Sequence, residues 1–148
     1  MKFGIDLPPH IKVFGAFFIY SFCMGSLYPR LPAIQQAMGV GEGALGLALI
    51  GAAFGTLVSL TFAGPVIERI GYRRTLLTAI PLLSVFYAIA VWAQEPLAFF
   101  LLLVPVGITI GCIEIIINLE ADRVEHAIGR RIMNRAHAFW SFGFFSAG

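Results

Sequence analysis

One carboxylate, Glu114, stands inside the long uncharged run Leu97–Asn118. At the centre of a hydrocarbon layer such a group costs about 2.5–3.5 kcal/mol, so it is kept where it faces a helix bundle's interior or water. Burial favours the protonated acid, which suits a group that takes up and releases a proton. Gly107, Gly111, Glu114 and Asn118 follow one another at steps of four, three and four. At about 100° per residue they share one helical face, within about 60° of each other. Pro105, just before them, removes a backbone hydrogen bond. The chemistry offered is proton exchange beside a cavity-lining or helix-packing surface. The bland alternative is a carboxyl held neutral by hydrogen bonds, or one near enough to the helix end to reach water.

Two further residues suit a solute site. His137 offers an imidazole, a group suited to proton transfer or to a hydrogen bond to a solute. Trp140 offers a ring that stacks on a sugar face, or an interfacial anchor. Glu114 is expected to face a water-accessible cleft shared with Asn118 and His137. His10 and His126 read as exposed loop residues, and Cys23 and Cys112 fall within spans, where a disulfide is not expected. No Cys/His spacing suggests a metal, and no nucleophile–base set or phosphate-binding loop suggests an enzyme or a bound cofactor. No basic patch with interleaved aromatics suggests nucleic acid.

The elements that position these residues follow from composition. The 148-residue chain is 59% hydrophobic and 12% charged, far from the soluble average. Its apolar runs are continuous rather than alternating and approach the roughly 20 residues of a spanning helix. Within lipid every backbone amide needs a partner inside its own segment or a closed barrel, so helices are expected. Helices are predicted at about 13–28, 44–67, 75–93, 97–118 and 132–148, after a polar lead over 1–12. Phe14, Phe17, Phe18, Tyr20 and Phe22 read as lipid-facing bulk, and Ala33–Gly43 as a short outer connection that could begin the second helix. Gly51, Gly55, Ser59 and Ala63, four residues apart, lay a stripe of small side chains along that helix and predict a packing seam, while Gly107 and Gly111 belong to a separate helix-packing or cavity-lining face on the fourth.

Between the second and third runs lies Gly64-Pro-Val-Ile-Glu68-Arg69-Ile-Gly71-Tyr-Arg73-Arg74, expected as a tight charged turn opened by Gly64 and Gly71. This pattern resembles the signature loop between helices two and three of the major facilitator superfamily. Gly64, Arg69, Gly71, Arg73 and Arg74 match it; Glu68 stands where the family usually has Asp, and Tyr72 where many members carry a base. The resemblance implies twelve helices in two six-helix halves, of which this chain supplies four and part of a fifth, about a third of the fold. It also implies a conformational latch at Glu68, whose counterpart is a helix N-terminus in the other half. The remaining helices of the carrier are then partners, along with the lipid bilayer.

A second, shorter resemblance is to the fucose permease branch, a sugar:proton symporter line. Gly111-Cys112-Ile113-Glu114 with Asn118 is similar to its helix-four segment, and Asn134–Gly143 to its helix-five opening. The resemblance implies that Glu114 couples protons and that Asn118, His137 and Trp140 face the solute. His137 stands where that branch has Gln and Trp140 where it has Asn, and Val13–Tyr28 lacks the branch's cavity Asp.

With the N-terminus in the cytoplasm, nine of the ten Lys and Arg residues fall inside and only Arg30 outside. A plasma membrane location follows (the inner membrane in a Gram-negative cell). A loop-to-loop salt bridge between Asp122 or Glu125 and Arg73 or Arg74 is a further expectation. No internal repeat is visible within these residues. The residues and the resemblances thus predict an all-α membrane protein and a secondary carrier, its expected cargo a small polar solute such as a sugar moved with protons. Two other classes fit the residues alone: a non-transporting four-helix assembly module, or a small dimeric drug/proton antiporter. The apolar run from Ile132 argues against the antiporter, since a finished four-helix protein has no use for a half-built fifth span.

Overall fold

The computed structural model describes residues 7–148; the first six residues of the polar lead, with Lys2 and Asp6, lie outside the described residues. Every regular element in it is a helix. These are α1 (Pro9–Gly25), a 3₁₀ turn (Tyr28–Arg30), α2 (Leu31–Met38), α3 (Glu42–Ile70), α4 (Tyr72–Ala90), α5 (Pro96–Ile128) and α6 (Met133–Ser146). Four stretches, Pro9–Met38, α3, α4 and α5, are long and apolar enough to cross a membrane.

α5 is the hub. It packs most extensively against α3, then α4, and also touches α1, while α6 lies mainly along α1. Phe99, Leu103, Val106 and Ile113 of α5 are fully buried together with Phe17 and Tyr20 of α1 and Leu83 of α4. Large apolar side chains such as Leu47, Leu57, Phe62 and Leu77 are left exposed on the outer faces of α3 and α4.

The α3–α5 contact is a glycine seam. A Cβ on Gly51 would strike the carbonyl oxygen of Phe100, one on Gly55 that of Val104, and one on Gly107 that of Ala52. At Gly111 it would lie 2.8 Å from Cβ of Ser59. The missing side chains let the two backbones touch, and the approach is close enough for polar links across it. Thr56 Oγ1 donates to the carbonyl of Gly107 at 3.1 Å, and Ser59 Oγ meets Cys112 Sγ at 3.2 Å.

Several expectations need correction. Gly64 opens no turn, since α3 runs through it and Pro65 to Ile70. Lacking a Cβ, Gly64 spares the helix the clash that a proline imposes on the preceding residue. The reversal instead rests on Gly71 alone, with φ 93° and ψ 137°, between Ile70 and Tyr72. Only glycine adopts such angles without strain. Ala33–Gly43 is mostly the separate helix α2, started by Pro32 and ended at Gly39, rather than a bare connection; only its last two residues, Glu42 and Gly43, begin α3. Residues 9–12 of the supposed lead are helical, because Pro9 is suited to a first helical turn.

The fourth spanning helix also extends ten residues past Asn118. The change to polar residues there does not end the helix. At 1.5 Å per residue its 33 residues reach about 50 Å, well beyond a ~30 Å hydrocarbon layer. Ala121 and Val124 remain buried, while Arg123 and Glu120 pair at 2.8 Å on its exposed side.

The loop-to-loop salt bridge is not formed among the described residues. Asp122 sits 3.4 Å from His126 instead. Glu125 Oε2 accepts from the backbone N–H groups of Ile132 and Met133 at 2.7 and 2.9 Å, satisfying the open start of α6. Glu125→Ala is therefore expected to speed hydrogen exchange at the first amides of α6, whereas Glu125→Gln, which keeps an acceptor oxygen, leaves them protected. Hydrogen-exchange mass spectrometry of that peptide checks it; equal exchange in all three proteins contradicts it.

Candidate functional site

Glu114 is half-buried on the face of α5 that looks toward α1. Its Oε1 accepts a hydrogen bond from the hydroxyl of Tyr20, 3.0 Å away and on a residue with no exposed surface. The carboxyl also borders a cavity of about 520 Å³. Met24 and Leu27 close it from α1 and the turn beyond; Thr56 and Leu57 from α3; Tyr87 from α4; Leu103 and Ile110 from α5. The walls are mainly aliphatic, with Glu114, Thr56, Tyr28 and Tyr87 supplying the polar groups.

The sequence explains how this pocket is held open. The glycine seam fixes α3 against α5, which sets Thr56 beside Gly107 and leaves Glu114 two turns further along. On α1, Phe17 and Tyr20 are spaced to share the inward face. On the other side of α1, Gly143 of α6 fits where a Cβ would strike Ser21 Oγ and the carbonyl of Phe18. α1 is thus gripped between α5 and α6.

The other candidates are not gathered around Glu114. Asn118 turns back on its own helix, its Nδ2 donating to the carbonyl of Glu114 at 2.9 Å. His137 lies on α6, exposed, edge-on to Phe17 with ring centroids 5.3 Å apart. Trp140 stacks on Phe144 at 5.3 Å and borders a separate hollow with Ser141, Phe145 and Gly148. The single cleft expected around positions 114, 118 and 137 is not what the described residues form, because α1 stands between α6 and the cavity. Glu68, Arg69, Arg73 and Arg74 are exposed around the α3–α4 reversal. Among the described residues no group of three or more His, Cys, Asp or Glu side chains is placed to hold a metal.

The Major Facilitator Superfamily family model matches residues 13–147, from within α1 to the end of α6. The chain belongs to the Major Facilitator Superfamily. It is 28% identical over 128 residues to an uncharacterized MFS-type transporter of Yersinia pestis, covering 86% of this chain and 33% of that protein. It is 29% identical over 141 residues to an uncharacterized transporter of Sinorhizobium fredii, covering 93% of this chain and 36% of that protein. The chain spans about a third of the length of these curated relatives. No solved structure matches it at a significant level.

In this superfamily member the four apolar helices are membrane spans, and the family is one of transporters rather than enzymes. Sequence reasoning found the carboxylate but missed its partner. Tyr20 was expected among lipid-facing aromatics, yet Tyr20, Phe14 and Phe17 are buried, and only Phe22 of that group is strongly exposed. The available signal was chemical: a phenol hydroxyl at mid-span needs an acceptor that lipid cannot provide.

Proposed function

We propose that this chain is the N-terminal part of a proton-coupled secondary carrier, with Glu114 as the proton-coupling group. The observation that carries the reading is the half-buried carboxyl of Glu114, bonded to Tyr20 and bordering a half-open cavity lined by α1, α3, α4, α5 and the turn into α2. Coupling requires such a carboxyl to be reachable from the cavity in one conformation and sealed in another. Family membership supports transport as the whole protein's activity.

The cargo we propose is a small polar solute such as a sugar, by the likeness of Gly111–Asn118 and Asn134–Gly143 to the fucose permease branch. His137 and Trp140, on a face of α6 that is only partly covered, are the proposed solute contacts contributed by this chain, with Asn118 positioned beside the coupling site. Glu68, Arg69, Arg73 and Arg74, set by Gly71 and preceded by Gly64, are the proposed gate, meeting the remaining helices of the carrier. Nine basic residues on one side favour a cytoplasmic N-terminus in the plasma membrane.

The test is reconstitution of the full-length carrier in proteoliposomes holding a pH-sensitive dye. Adding monosaccharides one at a time is expected to move protons together with one of them, and a protonophore to abolish accumulation. Uptake of the transported solute that is indifferent to the pH gradient contradicts the coupling.

A further inference from the structure

We propose that Tyr20 is the positioning residue for Glu114, through which protonation of the carboxyl is felt by α1. The inference rests on the reading of Glu114 as the coupling site and names the group that controls it.

Among the described residues Glu114 has no cationic partner. The side chain it touches is Tyr20, whose hydroxyl donates to Oε1 at 3.0 Å. Besides His10 and Lys12 at the start of α1, Tyr72, Arg73 and Arg74 at the start of α4 and the charged residues of α5 from Glu120 onward, the titratable groups on the surrounding elements are Tyr20 and Cys23 on α1, Tyr28 in the turn after it, Tyr87 on α4 and Cys112 on α5 itself. α3 offers none between Glu42 and Glu68, and α6 offers exposed Arg135 and His137, the latter against Phe17. Among the described residues the side-chain donor to the ionised carboxylate is thus one phenol O–H.

That bond also joins two helices, 94 residues apart in sequence. A hydrogen bond from a neutral donor is stronger to a carboxylate than to a neutral acid. Ionised Glu114 therefore draws α1 to α5 beside the cavity. When the carboxyl takes a proton, the tie weakens and the acid gains an O–H of its own to offer to the cavity. Ser21, next to Tyr20, lies against Gly143 of α6, so a shift of α1 at this point reaches the helix that carries His137 and Trp140. The hydroxyl is fully buried, so water does not substitute for it.

The test needs no knowledge of the solute. Dicyclohexylcarbodiimide attaches to protonated carboxyls in apolar surroundings, and mass spectrometry of the full-length carrier in micelles reads the labelling of Glu114 against pH. In Tyr20→Phe the pH at half labelling is expected to move about one unit to the alkaline side, because the ionised form loses its donor. A fluorinated tyrosine at position 20 keeps the shape, donates more strongly and is expected to move it to the acid side; it also serves if the Phe variant does not fold. A role in packing alone leaves the half-labelling pH where it was in both proteins, and that result overturns the inference while the coupling role of Glu114 stands. If Glu114 of the native protein takes no label at any pH from 5 to 9, the coupling reading falls and the inference with it.

Discussion

Gly107→Val is expected to leave the full-length carrier unable to reach its native fold, while Gly46→Ala leaves stability unchanged or slightly higher. At Gly107 even a Cβ would collide with the carbonyl of Ala52 and come within 2.7 Å of the backbone N of Thr56. Backbone atoms do not rotate out of the way as side chains do, so the whole α3–α5 pair has to part. Overpacking typically costs about 1–3 kcal/mol, and here the same movement also breaks the Thr56–Gly107 hydrogen bond. Gly107→Ala is expected at that scale and valine beyond it. At Gly46 a Cβ meets nothing within 4 Å, and alanine favours the helix. Thermal unfolding of the detergent-purified variants checks the pair. Equal unfolding temperatures for Gly107→Ala and Gly46→Ala would mean that the seam is not as close as described.

Glu114→Gln is expected to abolish proton-driven accumulation in the full-length carrier while solute exchange across the membrane continues. Glutamine keeps the size of the side chain, and its carbonyl still accepts from Tyr20, so the local packing survives. What it lacks is the ability to ionise. A carrier locked in the equivalent of the protonated state still binds solute and alternates while loaded, but cannot release the proton that drives net movement. Counterflow of labelled solute measures the first property and gradient-driven uptake the second. Loss of both points to a folding defect, which size-exclusion chromatography distinguishes; retention of both removes Glu114 from the mechanism.

The fold was legible where physical demands act on single segments. Continuous apolar runs in a chain with few charges have no solution in lipid but helices, and the four-residue steps of Gly51, Gly55 and Ser59 marked the face that meets α5. Helix ends were harder to find. The change to polar residues after Asn118 reads as the end of α5, but the helix continues because Ala121 and Val124 still have a buried side to occupy. Gly64 and Gly71 look alike in sequence, and only the second takes a positive φ. The site was half legible. A carboxylate within an apolar run announces itself, whereas Tyr20 resembled its aromatic neighbours until the position of α5 was known. His137 and Trp140 lie on α6, and which side of α1 that helix occupies is a property of the tertiary fold.

The claim beneath all of this is that the carboxyl of Glu114 opens onto an aqueous cavity and not onto lipid. It is tested most directly by placing a cysteine at position 114 of the full-length carrier, with Cys23 and Cys112 replaced by serine, in sealed vesicles. A charged, water-soluble methanethiosulfonate reagent is expected to modify the new thiol, and added solute to slow that reaction. Modification by a lipid-dissolved maleimide alone, with no reaction toward the charged reagent from either side of the membrane, would contradict the account.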